Sequence, residues 1–250
     1  MPFVLYAAPN FTETAVKFIE KIASLPGVRL GLMSMEPAEW LRHDVRQKLA
    51  DFSRVKDIFD FQELLQAAQT LTARNGAAHR IMGAVEQLQV QIAQVREALG
   101  IPGMGVETMK NFRDKSRMKN LLRAAGLPCA KHCLATNSAD AFNFAKEAGY
   151  PLVIKPPDGA AAQSTFRTNN AAELTATLEK IPPSPDSPVL LEEFIQGDEH
   201  SFDTFLLDGK PLFHSLSNYL PNPLEVLREP WIQWQVINPK EIDDPRYDDI

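Results

Sequence analysis

Apolar residues in this chain gather first in short unbroken runs and then at helical intervals, and the exchange between the two patterns organises the N-terminal half. Residues 3–8 form a run of strand formers, and from Thr12 the spacing changes so that Val16, Ile19, Ile22 and Ala23 share one side of a helix. Leu25-Pro26-Gly27 stops that helix. Residues 28–34 then return to a strand, giving a strand–helix–strand unit whose crossover is expected to be right-handed. Over 39–74 the pattern is mostly helical, broken by a short strand near 55–59. Residues 79–85 read as a further strand feeding a helix over 86–99, which carries Leu88, Ile92, Val95 and Leu99 on one side and ends at Gly100 with Pro102 beyond. Residues 1–112 therefore read as one small doubly wound α/β domain.

A second unit begins near Asp114. A helix over 115–125 is closed by Gly126-Leu127-Pro128, and a helix over 136–148 has Thr136 or Ser138 as its cap. Residues 151–154 are a strand, 156–165 a loop, and 166–168 pair back as a hairpin. The proline-rich stretch 181–188 suits neither helix nor strand and reads as a hinge or linker. Beyond it, 189–195 and 200–207 are strands, Asp208-Gly209 is a hairpin turn, and 210–216 answer as the partner strand. The divisions expected are 1–112, 113–187 and 188–250, and no internal repeat is found.

Composition narrows the function classes. With 250 residues and 44% hydrophobic content the chain can bury cores for more than one domain. A formal charge of −6 argues against a broad phosphate-backbone surface, so nucleic acid is not an expected partner. No apolar run approaches the roughly 20 residues of a membrane helix, and the N-terminus lacks the basic flank of a secretory signal. No membrane association and a cytoplasmic address are the expectations. Cys129 and Cys133 are too sparse for a disulfide framework or a closed zinc site and read as ordinary thiols at a strand edge.

The candidate chemistry lies between Asp114 and Glu199. Lys155 ends an apolar strand just before a loop of small residues, where a rigidly held ammonium can neutralise phosphate charge at little ordering cost. In that loop Gly159, Ala160, Ala161 and Ser164 lack bulk, so backbone N–H groups could approach a triphosphate and fold over it. Glu192-Glu193-Phe194-Ile195, followed by Gly197-Asp198-Glu199, is an extended segment. Its alternating donors and acceptors suit the N1 and N6 edge of adenine, and a carboxylate a little further on can accept ribose hydroxyls.

Together these residues resemble the ATP-grasp superfamily, which includes biotin carboxylase, the carbamoyl phosphate synthetase large subunit and D-alanine ligases. The motifs that carry the resemblance are Glu86 with the helix after it, Leu99-Gly-Ile-Pro-Gly103, Asp114-Lys115, Ala125-Gly-Leu-Pro128, Gly149-Tyr-Pro-Leu-Val-Ile-Lys155 and Glu192-Glu-Phe-Ile-x-Gly-x-Glu199. They follow the family's order and approximate spacing over most of the chain. The resemblance implies a Rossmann-like pre-ATP-grasp domain, which helps bind the acceptor substrate, followed by an incomplete α+β ATP-grasp domain. It implies that Lys115 and Lys155 contact phosphates, that the backbone of Glu193 and Ile195 reads adenine, and that Glu199 or His200 contacts ribose.

Two departures stand out. Ala160 to Ala162 replace glycines that the family carries in its phosphate loop. The family's magnesium ligands fall past the hinge, so Mg2+ is expected to be bound by residues beyond the end of this sequence. Asp243, Asp244, Asp248 and Asp249 around Pro245 read instead as the capped start of a helix, and Trp231 and Trp234 as packing residues. The expected activity is that of an ATP-dependent ligase that converts a small-molecule carboxylate to an acylphosphate for attack by an amine or other nucleophile. Bicarbonate activation of the biotin-carboxylase type and nucleotide binding without turnover are the alternatives, and a homodimer is a compatible assembly.

Overall fold

The computed structural model describes residues 1–158, 164–229, 231–242 and 244–247. They belong to two units, Met1–Ala125 and Gly126–Ile250. The first runs β1 (Phe3–Ala8), α1 (Glu13–Ala23), β2 (Arg29–Ser34), α2 (His43–Arg46), β3 (Asp51–Arg54), α3 (Phe61–Asn75), β4 (Arg80–Met82), α4 (Gln89–Leu99), α5 (Val106–Arg113) and α6 (Lys115–Ala124). Its four strands are parallel in the order β3-β2-β1-β4.

Alternation along β1 sets the layering, because successive side chains leave opposite faces of a strand. Phe3, Leu5 and Ala7 pack with Met33, Ile81 and the apolar sides of α3 and α4, through Leu64, Ala68, Leu71, Ile92 and Val95. Tyr6 and Ala8 turn the other way, with Leu30 and Leu32, onto Ile19 of α1 and Val45 of α2. Helices on both faces of a parallel sheet give the expected doubly wound domain. Gly31 of β2 leaves room for the Phe3 ring of the neighbouring strand: a Cβ there would stand 2.7 Å from Cζ of Phe3.

Helix ends follow local chemistry. Thr12 caps α1 through the Ala15 N–H, and Asp60 caps α3 through the Glu63 N–H, while the Glu63 carboxylate accepts from the N–H groups of Lys56 and Asp57. Gly100 closes α4 in the left-handed conformation, as its position predicts. The strand expected near 55–59 is instead β3 at 51–54, and the helix expected from 86 starts with a 3-10 turn at Glu86–Leu88.

The second unit runs β5 (His132–Ala135), α7 (Ser138–Ala148), β6 (Leu152–Lys155), β7 (Phe166–Thr168), α8 (Ala171–Lys180), β8 (Val189–Glu193), β9 (His200–Leu207), β10 (Lys210–Leu220), α9 (Pro223–Arg228) and β11 (Gln235–Ile237). Its first sheet is antiparallel in the order β5-β8-β6-β7. Leu152, Ile154, Val189 and Leu191 face α7 and α8, where Ala141, Phe144, Leu174 and Leu178 cover them. α7 is capped by Asn137, not by Thr136 or Ser138. The Asn137 side chain accepts from the Asp140 N–H, and Thr136 donates back to the Asp140 carboxylate through N–H and hydroxyl at 3.0 and 3.1 Å.

The second sheet is β11-β10-β9. The hairpin expected around Asp208-Gly209 is present, with β10 running four residues beyond the expected end at 216. Its side chains are largely bare: Phe205 and Leu212 are each 67% exposed. Trp234 stacks on Tyr219, whereas Trp231 is 79% exposed and donates its indole N–H to Glu229. Among the described residues no helix is long and apolar enough to cross a membrane.

Candidate functional site

The β5-β8-β6-β7 sheet spends one face on its helices, and the pleat consigns alternate residues to the other. Register places His132, Glu192, Val153 and Arg167 in one row across that second face. Leu134, Leu190 and Lys155 form the next row. The functional side chains are thus held by strands whose opposite faces are anchored in a core.

Lys155 and Glu192 meet diagonally on this face, Nζ lying 2.7 Å from Oε2, with their side chains only 22% and 10% exposed. A sheltered charge pair of this geometry orients both groups. Glu199 joins them electrostatically. Burial pushes its carboxyl above the usual carboxylate range, while the charge on Lys155 acts in the opposite sense. One ammonium therefore faces two acidic groups, and its pairing with Glu192 holds it at the end of β6. The sequence singled out all three residues, but the Lys155–Glu192 pair depends on the register of strands 37 residues apart and leaves no local signal.

The hinge follows directly from the end of β8. The Glu193 N–H donates to the Lys131 carbonyl at 3.0 Å, and the Phe194 N–H to the Pro151 carbonyl at 3.1 Å. The Glu193 side chain returns to the Lys131 N–H at 2.8 Å. Ile195, 63% exposed, comes next, and its N–H has no hydrogen-bond partner among the described residues. Ladder bonding thus ends at Phe194, and the Ile195 donor lies just past the end of β8. The strand expected over 189–195 is regular only to Glu193.

Other expected residues are placed as follows. Lys115 is the first residue of α6, in the first unit, immediately after Asp114, whose carboxylate caps that helix through the N–H groups of Ser116 and Arg117. Spacing of the Asp114-Lys115 pair is therefore a helix-start signal as well as a candidate phosphate contact. Ser164 adopts a left-handed backbone with φ of 54°. Gly159, Ala160 and Ala161, together with Ala162, lie outside the described residues. His200 opens β9 with its Nδ1 2.5 Å from Oδ1 of Asn218 and its ring edge-on to Tyr247. Its imidazole is engaged within the second sheet, whereas Glu199 is the residue that feels Lys155.

Glu86, part of the Glu86-plus-helix motif, pairs with Arg113 of α5, whose side chain is 12% exposed. No group of three or more His, Cys, Asp or Glu residues among the described ones could hold a metal ion. Asp244 accepts from the Arg246 N–H in a single 3-10 turn at Pro245–Tyr247, while Asp243, Asp248 and Asp249 lie outside the described residues. Cys133 lies on β5 opposite Leu191, and burial pushes its thiol up, which disfavours the reactive thiolate.

Comparison with known proteins bears on this arrangement. Residues 113–217 match the family model described as phosphoribosylglycinamide synthetase, ATP-grasp (A) domain. A D-alanine–D-alanine ligase of Pseudomonas putida (strain GB-1) is 32% identical over 118 residues, which cover 46% of this chain and 36% of that protein. The solved L-amino acid ligase from Bacillus licheniformis superposes with a TM-score of 0.69 at 20% identity, covering 88% of this chain and 50% of the other. The biotin carboxylase domain of 2-oxoglutarate carboxylase from Hydrogenobacter thermophilus, solved with MgADP, ADP and bicarbonate, gives 0.68 at 20% identity, over 86% and 49%. The two structural likenesses speak to fold. The chain spans little more than a third of the curated ligase it matches and about half of these solved chains.

Proposed function

We infer that this chain, which belongs to the ATP-grasp superfamily, binds ATP at the face of its β5-β8-β6-β7 sheet that carries Lys155 and Glu192, as part of a carboxylate-activating ligase. The observation that carries the reading is the joint placement of Lys155, fixed by Glu192 at the end of β6, and the Ile195 N–H at the end of the neighbouring β8. One supplies a held cation for phosphate, the other a donor for the adenine N1 edge.

In this reading Lys155 neutralises phosphate oxygens, a role that the family resemblance also gives Lys115; Gly159, Ala160, Ala161 and Ser164 are the phosphate-loop candidates, Glu192 to Ile195 receive the base, and Glu199, with His200 as the other candidate, accepts the ribose hydroxyls. A substrate carboxylate oxygen attacks the γ-phosphorus and ADP leaves. The resulting acylphosphate is attacked at its acyl carbon by an amine, and inorganic phosphate departs. Because charge is spread over phosphate oxygens throughout, catalysis is positioning and neutralisation, and no protein nucleophile is required. Magnesium, when bound with ATP, would add cationic neutralisation of the same oxygens.

The domain proposed over 1–112 helps bind the acceptor substrate at the carboxyl ends of β1 and β4, where the strand order β3-β2-β1-β4 reverses. The ATP-grasp part divides over 113–187 and 188–250. The setting is cytoplasmic and the assembly a homodimer.

Calorimetric titration of ATP with magnesium into this chain tests the reading, with Lys155→Ala as control. Binding that the substitution weakens at least tenfold supports it. Equal binding by both proteins places the phosphates elsewhere and overturns it.

A further inference from the structure

The hinge that ends at Ile195 is steadied from the far edge of its sheet. Arg167 of β7 stands in the same row as Val153 and Glu192, and its guanidinium carbon lies 4.1 Å from the centroid of the Phe194 ring. This is close contact for a cation over an aromatic face, and a planar guanidinium stacks there with little loss of freedom. Arg167 and Phe194 are both half-buried.

Arg167 is itself held in place. Its Nε donates to Oδ1 of Asn169 at 3.1 Å, and Asn169 in turn donates from its backbone and side-chain nitrogens to Oε2 of Glu173 at 2.9 and 2.8 Å. Glu173 sits in the first turn of α8, where its N–H donates to the capping Asn170. A continuous line of contacts therefore runs from the start of α8 through Asn169 and Arg167 to the Phe194 ring. On its backbone side Phe194 is tied to Pro151. With ring and N–H both held, Phe194 is anchored on two sides, and the Ile195 N–H leaves from a residue fixed in place.

We propose that Arg167 is a positioning residue for base recognition, holding Phe194 so that the Ile195 N–H meets the adenine edge. The proposal rests on the ATP reading above and adds a residue to it that touches neither phosphate nor ribose. Its consequence is selective: loss of Arg167 weakens recognition of the base and leaves the phosphate end, held by Lys155 and Glu192, untouched.

The test is calorimetric titration of wild type, Arg167→Gln and Arg167→Lys with ATP, GTP and inorganic tripolyphosphate. ATP affinity should fall about tenfold in Arg167→Gln, as loss of one well-stacked cation implies. Tripolyphosphate affinity should stay unchanged, and the preference for ATP over GTP should shrink. Arg167→Lys, which keeps the charge, should recover part of both. A parallel fall for ATP and tripolyphosphate would overturn the proposal by showing general disruption, and unchanged ATP affinity would overturn it directly. Wild type that binds tripolyphosphate but does not prefer ATP to GTP would instead defeat the underlying adenine reading, a result distinguishable from the other two.

Discussion

Removing Lys155 should loosen the small sheet even without nucleotide, by an amount that the geometry bounds. At 2.7 Å and an effective dielectric of about 20, the gross Lys155–Glu192 attraction is about 6 kcal/mol. Most of that offsets the cost of withdrawing two ions from water. Deleting one member of a fully buried pair costs about 3–5 kcal/mol, and the 22% exposure of the lysine lowers the expectation for Lys155→Ala to about 2 kcal/mol. The double substitution with Glu192→Ala should recover part of this, leaving a coupling of about 1–2 kcal/mol. Native-state hydrogen exchange suits the measurement, because the amides of Ile154 and Leu191 report opening of this sheet independently of the first unit. Single substitutions whose costs simply add, with coupling below about 0.5 kcal/mol, would refute the view that the pair holds the site together.

Two further outcomes are expected. Burial raises the Glu199 carboxyl above its ordinary value, so its contribution to stability is fully present below the unfolded value of 4.5 and is lost as pH rises through the folded one. Glu199→Gln should therefore gain stability over wild type as pH is raised, and urea titrations on either side of that window that show a constant difference would contradict the assignment. Asn137→Ala should cost about 1 kcal/mol by removing the α7 cap, whereas Ser138→Ala should cost much less; urea titration separates the two, and the opposite order would mean that the cap lies elsewhere.

What sequence revealed and what it hid divide along the reach of the forces involved. The run 3–8, the stop at Gly100 and the turn at Asp208-Gly209 are local, and each is found where local chemistry places it. α8 escaped because its apolar stripe is short. Leu174 and Leu178 are its only large buried side chains, and the signal that marks it is the Asn170-to-Glu173 spacing at its start. The cap of α7 was missed by one residue, since Thr136, Asn137 and Ser138 are all capping types and only geometry selects among them. Lys155, Glu192 and Ile195 were legible as candidates from the residues around them. Their mutual placement was not, because β8 enters between β5 and β6, a pairing that no short window of sequence encodes.

The bare hairpin of β9 and β10 has a practical consequence for anyone handling this chain. Dyes such as ANS brighten on accessible apolar surface and are commonly taken to mark loosened, molten states. With Phe205, Leu206, Leu212 and Phe213 each more than half exposed, such a dye would find footing on the intact fold. A dye-based melting scan should therefore begin bright in the cold. Far-ultraviolet circular dichroism, which follows the backbone, is the signal that will track loss of structure.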